Sequence, residues 1–275
     1  MTIYDGYSNW NANEYPAVLA IGDSWFWYPR NNLLEALARH PKLKDGYQHM
    51  VRLGENGAML SEYVDRPGAP GRLSGRLKEL LRRDPMQYIA AFMVSGAGND
   101  AVKYSLALEA DCTGKTTPGD CISDDGMDAL IAALTHDMND LLFDVQTAFE
   151  TQHRQPVVFL HGYDYSVPDG RGFKLAAVSK GPWLAPAMDT CKVAPDPELR
   201  KGIVRDLIDR VNLAFSAYAR AASGVYFIDS RRTLDAGANY RNDWDNELHP
   251  TRAGFDRIVD QKWIPVLQQA GIAKP

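Results

Sequence analysis

A serine hydroxyl becomes a nucleophile when a base can take its proton and the chain holds it where a substrate can reach. Ser24 stands in such a place. The apolar run 17–21 leads straight into Gly22-Asp23-Ser24. That run is short and branched, so it reads as a buried strand, and Gly22 permits a sharp change of direction after it. Ser24 then lies just past the C-terminal end of a strand, where open α/β sheets bind their ligands. Two roles are open to it there: helix N-cap or nucleophile. Three other apolar runs end in similar polar turns, namely Gly54-Glu55-Asn56-Gly57, Gly96-Ala97-Gly98-Asn99-Asp100 and His161-Gly162-Tyr163-Asp164-Tyr165. A further polar cluster, residues 243–250, follows a fifth apolar run and carries His249 just before the last helix. The strand-edge rule gathers these turns on one rim.

The elements that must position these groups follow from periodicity. Strands are expected at 17–21, 50–53, 88–94, 156–160 and 225–229. Helices are expected at 31–40, 71–83, 128–150, 197–221 and 251–269. Regular alternation of strand and helix implies a parallel sheet covered on both faces. With right-handed crossovers this gives a three-layer α/β/α sandwich with a five-stranded sheet, in the flavodoxin-like order 2-1-3-4-5. Residues 101–125 and 166–195 break the alternation and read as irregular insertions into a single domain spanning 1–275.

Composition excludes several classes. Apolar residues at 45% and charged residues at 24% are ordinary globular values. A net charge of -5 favours neither nucleic acid nor an anionic membrane as partner. No transmembrane segment is expected. The N-terminal stretch has neither a basic region nor an apolar core, so no signal peptide is expected, and a cytoplasmic location is. Cys112, Cys121 and Cys191 match no zinc spacing, and no metal or other cofactor is implied. Cys112 and Cys121 could close a small loop in an oxidising compartment; reduced thiols suit a cytosolic chain. No GxGxxG or GxxxxGK[ST] supports a nucleotide site.

The ordered set Gly22-Asp23-Ser24, Gly57, Gly98-Asn99-Asp100 and Leu248-His249-Pro250 resembles the SGNH, or GDSL-like, hydrolase superfamily. The resemblance spans residues 18–255. It implies Ser24 as nucleophile and His249 as general base and then acid. It also implies an oxyanion hole made by the backbone N–H of Ser24, the backbone N–H of Gly57 and the side-chain amide of Asn99. Gly54 rivals Gly57 for that role. The family places Asp three residues before the histidine, whereas this chain has Asn246, with Asp245 adjacent. Either Asn246 orients His249, the reading the short register favours, or the loop bulges to deliver Asp245. Trp25, Tyr163 and His161 are candidate substrate-binding residues, and each has a packing role as its alternative.

These features lead to an expected function. The chain is a serine hydrolase that cleaves a carboxylic ester through an acyl-enzyme, with a short acyl group or an acetylated carbohydrate favoured. A lipase or lysophospholipase of the same family is the alternative. A catalytically inactive binding module on this fold is another, and Asn246 is its best support. The partner is a small-molecule, glycan or lipid ester, and the oligomeric state is open.

Overall fold

Val18–Gly22 is the strand around which the sheet is built. All five of its residues are buried, as expected of a strand covered on both faces. The computed structural model describes residues 1–6, 14–100, 106–176 and 178–275. In chain order the strands are β1 (Thr2–Asp5), β2 (Val18–Gly22), β3 (His49–Gly54), β4 (Ala91–Ser95), β5 (Val157–Gly162), β6 (Phe173–Leu175), β7 (Val178–Lys180) and β8 (Val225–Asp229). Six of them form one parallel sheet, ordered β1-β3-β2-β4-β5-β8. Leaving out β1, this is the expected 2-1-3-4-5 order. The sheet thus has six strands and not five. The extra edge strand, Thr2-Ile3-Tyr4-Asp5, pairs with β3 from His49 to Arg52.

The helices are α1 (Ser24–Trp27), α2 (Leu33–Arg39), α3 (Ser74–Arg82), α4 (Asp124–Glu150), α5 (Leu184–Thr190), α6 (Pro197–Ala221), α7 (Arg252–Ile258) and α8 (Ile264–Gln269). Side-chain caps start the main ones. Asn32 accepts from the Glu35 N–H, Ser123 from Gly126, Asp196 from Leu199 and Thr251 from Gly254. α2 packs on α7, while α4 packs on both α3 and α6. Helical layers of this kind flank the sheet and complete the sandwich. The expected last helix, 251–269, is interrupted by a π-helical turn at Val259–Trp263, just before Pro265. Pro265 has no N–H to donate, and a wider turn accommodates the loss.

Strand register sets the rim. Gly22 is paired with Gly54 on one side and Ser95 on the other. The turns that begin at Asp23, Glu55 and Gly96 therefore leave the sheet side by side. Gly162 is likewise level with Asp229.

The second insertion is more ordered than its composition implies. β6 and β7 form an antiparallel hairpin, and α5 follows it. The first insertion begins outside the described residues at 101–105. From 106 it holds a short 3-10 turn, Gly119–Cys121, and runs into α4. Cys112, Cys121 and Cys191 are buried free thiols.

Candidate active site

The turn after β2 answers one open question about Ser24. The N-cap of α1 is Asp23, whose carboxylate accepts the Trp25 N–H at 3.0 Å. Ser24 is the next residue and does not perform the capping. Asp23 is fully buried and also accepts from the Ser95 hydroxyl at 2.9 Å and the Tyr163 hydroxyl at 2.6 Å. Burial pushes its carboxyl up to about 6, against those three donors. Asp23 thus ties the ends of β2, β4 and β5 together beneath Ser24. Asp100 braces the neighbouring turn by accepting the Leu60 N–H at 2.9 Å.

The two rival glycines separate. At Gly54, φ is +144°, and an added Cβ would lie 2.0 Å from the Gly22 carbonyl oxygen. Its role is close strand packing. Gly57, at φ +88°, has open space where a Cβ would go, and it lines the same cleft as Ser24. Asn99 lines that cleft too, and its amide donates one hydrogen to the Ala58 carbonyl at 3.1 Å. A second amide hydrogen is left to give. Two residues earlier, Ala97 holds φ +92°, a conformation that costs a non-glycine residue roughly 1–3 kcal/mol.

His249 reaches the same cleft from the far end of the chain. Only 4% of it is exposed, and burial pushes its imidazole down to about 3. Its Nδ1 lies 2.9 Å from Asn246 Oδ1. That oxygen also accepts the backbone N–H of Leu248 and of His249, each at 3.0 Å. An amide oxygen can only accept, so Nδ1 carries the proton and Nε2 keeps its lone pair. Nε2 has no hydrogen-bond partner among the described residues. Ser24 and His249 are thus brought to one cleft, with the basic nitrogen of the histidine available.

The Asp245 carboxylate does not reach the His249 ring. Its Oδ2 accepts the Tyr28 hydroxyl, and its Oδ1 accepts Arg30 at 2.9 Å. Tyr28 in turn lies flat against His249, with centroids 4.2 Å apart and planes 4° from parallel. Sequence reasoning missed Tyr28 as a site residue. Its signal was its place one helical turn after Ser24, since residues four apart share a helix face.

The proposed substrate-binding residues divide. Tyr163 and Trp25 line a small cavity beside Ser24. Trp25 is otherwise packed edge-on against Tyr163, Trp244 and Phe255, with its indole N–H on the Leu248 carbonyl at 3.0 Å. His161 lines neither this cavity nor the cleft. It is buried among Trp25, Tyr163 and Trp263, neither ring nitrogen has a hydrogen-bond partner among the described residues, and burial lowers it to about 3.

Two spaces adjoin Ser24. The cleft has a volume of about 490 Å³ and runs from Ser24 and His249 to Phe173, Leu175 and Val178 of the β6–β7 hairpin, with Trp183 and Lys180 beside them. The smaller, more enclosed cavity, about 20 Å³, lies among Trp25, Tyr163, Leu184, Val204 and Ile208. Ser24 and Asn99 border both spaces, whereas His249 borders the cleft alone.

No protein-family profile and no characterised protein sequence matches the chain. Solved structures do. The lipase Lip_vut3 from a goat rumen metagenome superposes with a TM-score of 0.52 at 10% identity, covering 93% of this chain and 97% of that one. The carbohydrate acetylesterase Est24 from Sinorhizobium meliloti gives 0.50 at 16% identity, covering 93% and 98%. No helix among the described residues is long and apolar enough to cross a membrane. The chain thus shares its α/β/α fold with this lipase and this carbohydrate acetylesterase.

Proposed function

We propose that this protein is a serine-dependent carboxylic ester hydrolase. One observation carries the reading: Ser24, Gly57 and Asn99, from the turns after three strands, and His249, from the loop before α7, line a single cleft. Ser24 Oγ attacks the ester carbonyl carbon while its proton passes to His249 Nε2. The carbonyl oxygen becomes an oxyanion and takes hydrogen bonds from the Ser24 N–H, the Gly57 N–H and the second amide hydrogen of Asn99. The intermediate collapses, the C–O bond to the alcohol breaks, and the alcohol oxygen takes the proton from Nε2. Water then attacks the acyl-serine and gives a proton to Nε2. The acid departs as Ser24 Oγ recovers that proton.

The same geometry favours a short acyl group. The leaving alcohol must lie near Nε2, hence in the cleft that His249 borders. The acyl group then turns to the other side of Ser24, where about 20 Å³ of enclosed space has room for a group about as large as one water molecule. That space suits an acetyl methyl better than a longer chain. A second reading rests on the hairpin, where Leu175 and Val178 are about half exposed at the edge of the cleft. Such a lip suits an apolar alcohol, or a long acyl chain that enters the cleft in reverse.

The test is Ser24→Ala with a fluorophosphonate probe. Wild-type protein is labelled at Ser24 and hydrolyses p-nitrophenyl acetate, and the variant does neither. A folded wild-type protein that resists the probe would mark the chain as a binding module. Maximal rates on long-chain esters would favour the second reading.

A further inference from the structure

We propose that Tyr28 and Asp245 are positioning residues that deliver a carboxylate's charge to His249 through the amide of Asn246. The inference rests on the hydrolytic reading above and goes beyond it. It explains how a chain with Asn three residues before the histidine can still stabilise an imidazolium.

The relay follows from what each group can donate. The Asp245 carboxylate only accepts, and it takes the single hydrogen of the Tyr28 hydroxyl. The Tyr28 oxygen, with its own proton committed, accepts the Asn246 amide Nδ2–H at 3.0 Å. That leaves Asn246 Oδ1 facing His249 Nδ1 at 2.9 Å. Every hydrogen in the series therefore points the same way, from the imidazole toward the carboxylate. Hydrogen bonds aligned head to tail polarise one another. As Nε2 takes the serine proton, positive charge grows at one end of a chain whose other end is an anion. No proton needs to move along it. Asn246 is a neutral spacer, and Tyr28 is the link that brings a carboxylate within electrical reach.

Two further contacts fix the arrangement. The Tyr28 ring, parallel to His249 at 4.2 Å, sets the plane of the imidazole and offers it a π face when it becomes charged. Arg30 holds the second oxygen of Asp245 at 2.9 Å, so that Oδ2 stays turned toward Tyr28. Burial and the neighbouring Asp245 charge raise the Tyr28 phenol well above its ordinary range, which keeps its proton in place. Trp183 lies near-perpendicular to the His249 ring at 5.7 Å, and Lys180, Ser24 and Asn99 line the same cleft. Of these, Lys180 is the one that carries a charge.

The experiment is a double-mutant cycle of Tyr28→Phe and Asp245→Asn, read by kcat, KM and the acid limb of the kcat/KM–pH profile. Tyr28→Phe keeps the stacked ring and removes the link, while Asp245→Asn keeps the shape and removes the charge. Each single variant is expected to lower kcat by about ten- to a hundredfold with little change in KM. The acid limb should move to lower pH, because the imidazolium has lost support. The double variant should be no slower than Tyr28→Phe, since Asp245 acts only through Tyr28. Folded Tyr28→Phe protein with wild-type kcat and an unmoved limb would overturn the relay, as would losses that multiply in the double variant. A separate readout avoids turnover: the His249 Nδ1–H proton resonance in a Ser24→Ala background. The relay requires Tyr28→Phe to shift it upfield, and an unmoved resonance rejects the relay whether or not the protein hydrolyses esters. Failure of Ser24 to react with the probe would reject the hydrolytic reading alone.

Discussion

The Glu247 carboxylate accepts the backbone N–H of Trp183 at 2.7 Å, joining the loop that carries His249 to the insertion that walls the cleft. Glu247 is completely buried, and it also accepts from Leu184 at 2.9 Å, Ala185 at 3.1 Å and Gly170 at 2.9 Å. Four peptide donors around one carboxylate replace the hydration that burial removes. The loop in turn has its Glu247 N–H on the Arg171 carbonyl and its Asp245 N–H on the His249 carbonyl. Trp183, held this way, makes a T-shaped contact with the His249 ring.

Glu247→Ala is therefore expected to do two things. It strands four N–H groups, of which those of Leu184 and Ala185 are buried and cost roughly 1–3 kcal/mol each when unpaired, so stability should fall by at least about 2 kcal/mol in urea unfolding. It also frees Trp183, so kcat/KM should fall in whatever protein folds at low temperature. Glu247→Gln restores one acceptor oxygen and should recover part of the stability. Near-wild-type urea midpoints for Glu247→Ala would show that the clamp is not structural.

Burial sets the pH behaviour. A general base must be neutral, and desolvation holds His249 well below the usual histidine range, down to about 3. The acid limb of kcat/KM, which reports the free enzyme, should accordingly lie below pH 6.5. Substantial activity should persist at pH 5, followed by titrating the released acid. A limb at or above pH 6.5 would mean that the imidazolium is better supported than its burial implies.

His161 gives the stability counterpart. Its folded value is about 3, against an ordinary value near 6.5. Between those values the unfolded chain binds a proton that the native state refuses. The contribution to stability is complete above pH 6.5 and is lost as pH falls toward 3. From pH 8 to pH 5 the loss from this one group is roughly 2 kcal/mol. His161→Phe keeps a ring among Trp25, Tyr163 and Trp263 and removes that titration. Its stability relative to wild type should thus rise between pH 8 and pH 5, with kcat within twofold. Asp23 and Asp100, both raised to about 6 by burial, oppose the trend. Their native forms hold protons between pH 3.8 and 6 that the unfolded chain has released, so their contribution grows as pH falls. Comparing the variant with wild type cancels that common background.

Much of this site was legible before any coordinates. Buried parallel strands announce themselves as short apolar runs, and each run here ends in a turn whose polar residues have few roles available. That logic led to Ser24 and to the turns that hold Gly57, Asn99 and His249; the roles given to them, and Asn246 as the partner of His249, came from the family resemblance. It failed where the deciding contacts are long-range. In the sequence Tyr28 only ends the aromatic run Trp25-Phe26-Trp27-Tyr28, and its meeting with Asp245 and Asn246, more than two hundred positions away, gives it a polar task. The Phe173–Lys180 hairpin has strands of three residues, too short for a period to show. β1 is four residues long, and its pairing with β3 cannot be read from Thr2-Ile3-Tyr4-Asp5 alone. His161 sits at a strand end like the other polar groups, but its side chain points into packed aromatics and not toward the rim.

The two glycines after β3 should respond in opposite ways. Gly54→Ala drives a Cβ against the Gly22 carbonyl at 2.0 Å and should destabilise the sheet severely, whatever the effect on activity. Gly57→Ala meets open space, so its cost is the strained φ of +88°, about 1–3 kcal/mol. If the Gly57 N–H faces the oxyanion, a folded Gly57→Ala protein that relaxes its turn loses that donor. Asn99→Ala removes another. Loss of one such donor is worth about 10²–10³ in kcat, and either variant should show it with KM little changed. Full activity in Gly57→Ala would return the role to a different amide.

The acyl preference can be moved from the α6 side. Val204 and Ile208 are one turn apart on α6 and both face the small cavity next to Ser24. Ile208→Ala removes three carbons from that wall, and Val204→Ala removes two. Truncations of this size at buried sites cost roughly 2–5 kcal/mol, the lower end applying where neighbours relax into the space. They add volume where an acyl group would lie and leave the alcohol side of the cleft unchanged. The wild type should favour p-nitrophenyl acetate and fall steeply by the butyrate. Ile208→Ala, and more so the double variant, should shift the optimum toward the butyrate while losing rate on the acetate, because a methyl no longer fills the space. If the acyl chain instead runs along Leu175 and Val178, the α6 variants keep the wild-type chain-length profile, and Leu175→Ser with Val178→Ser changes it.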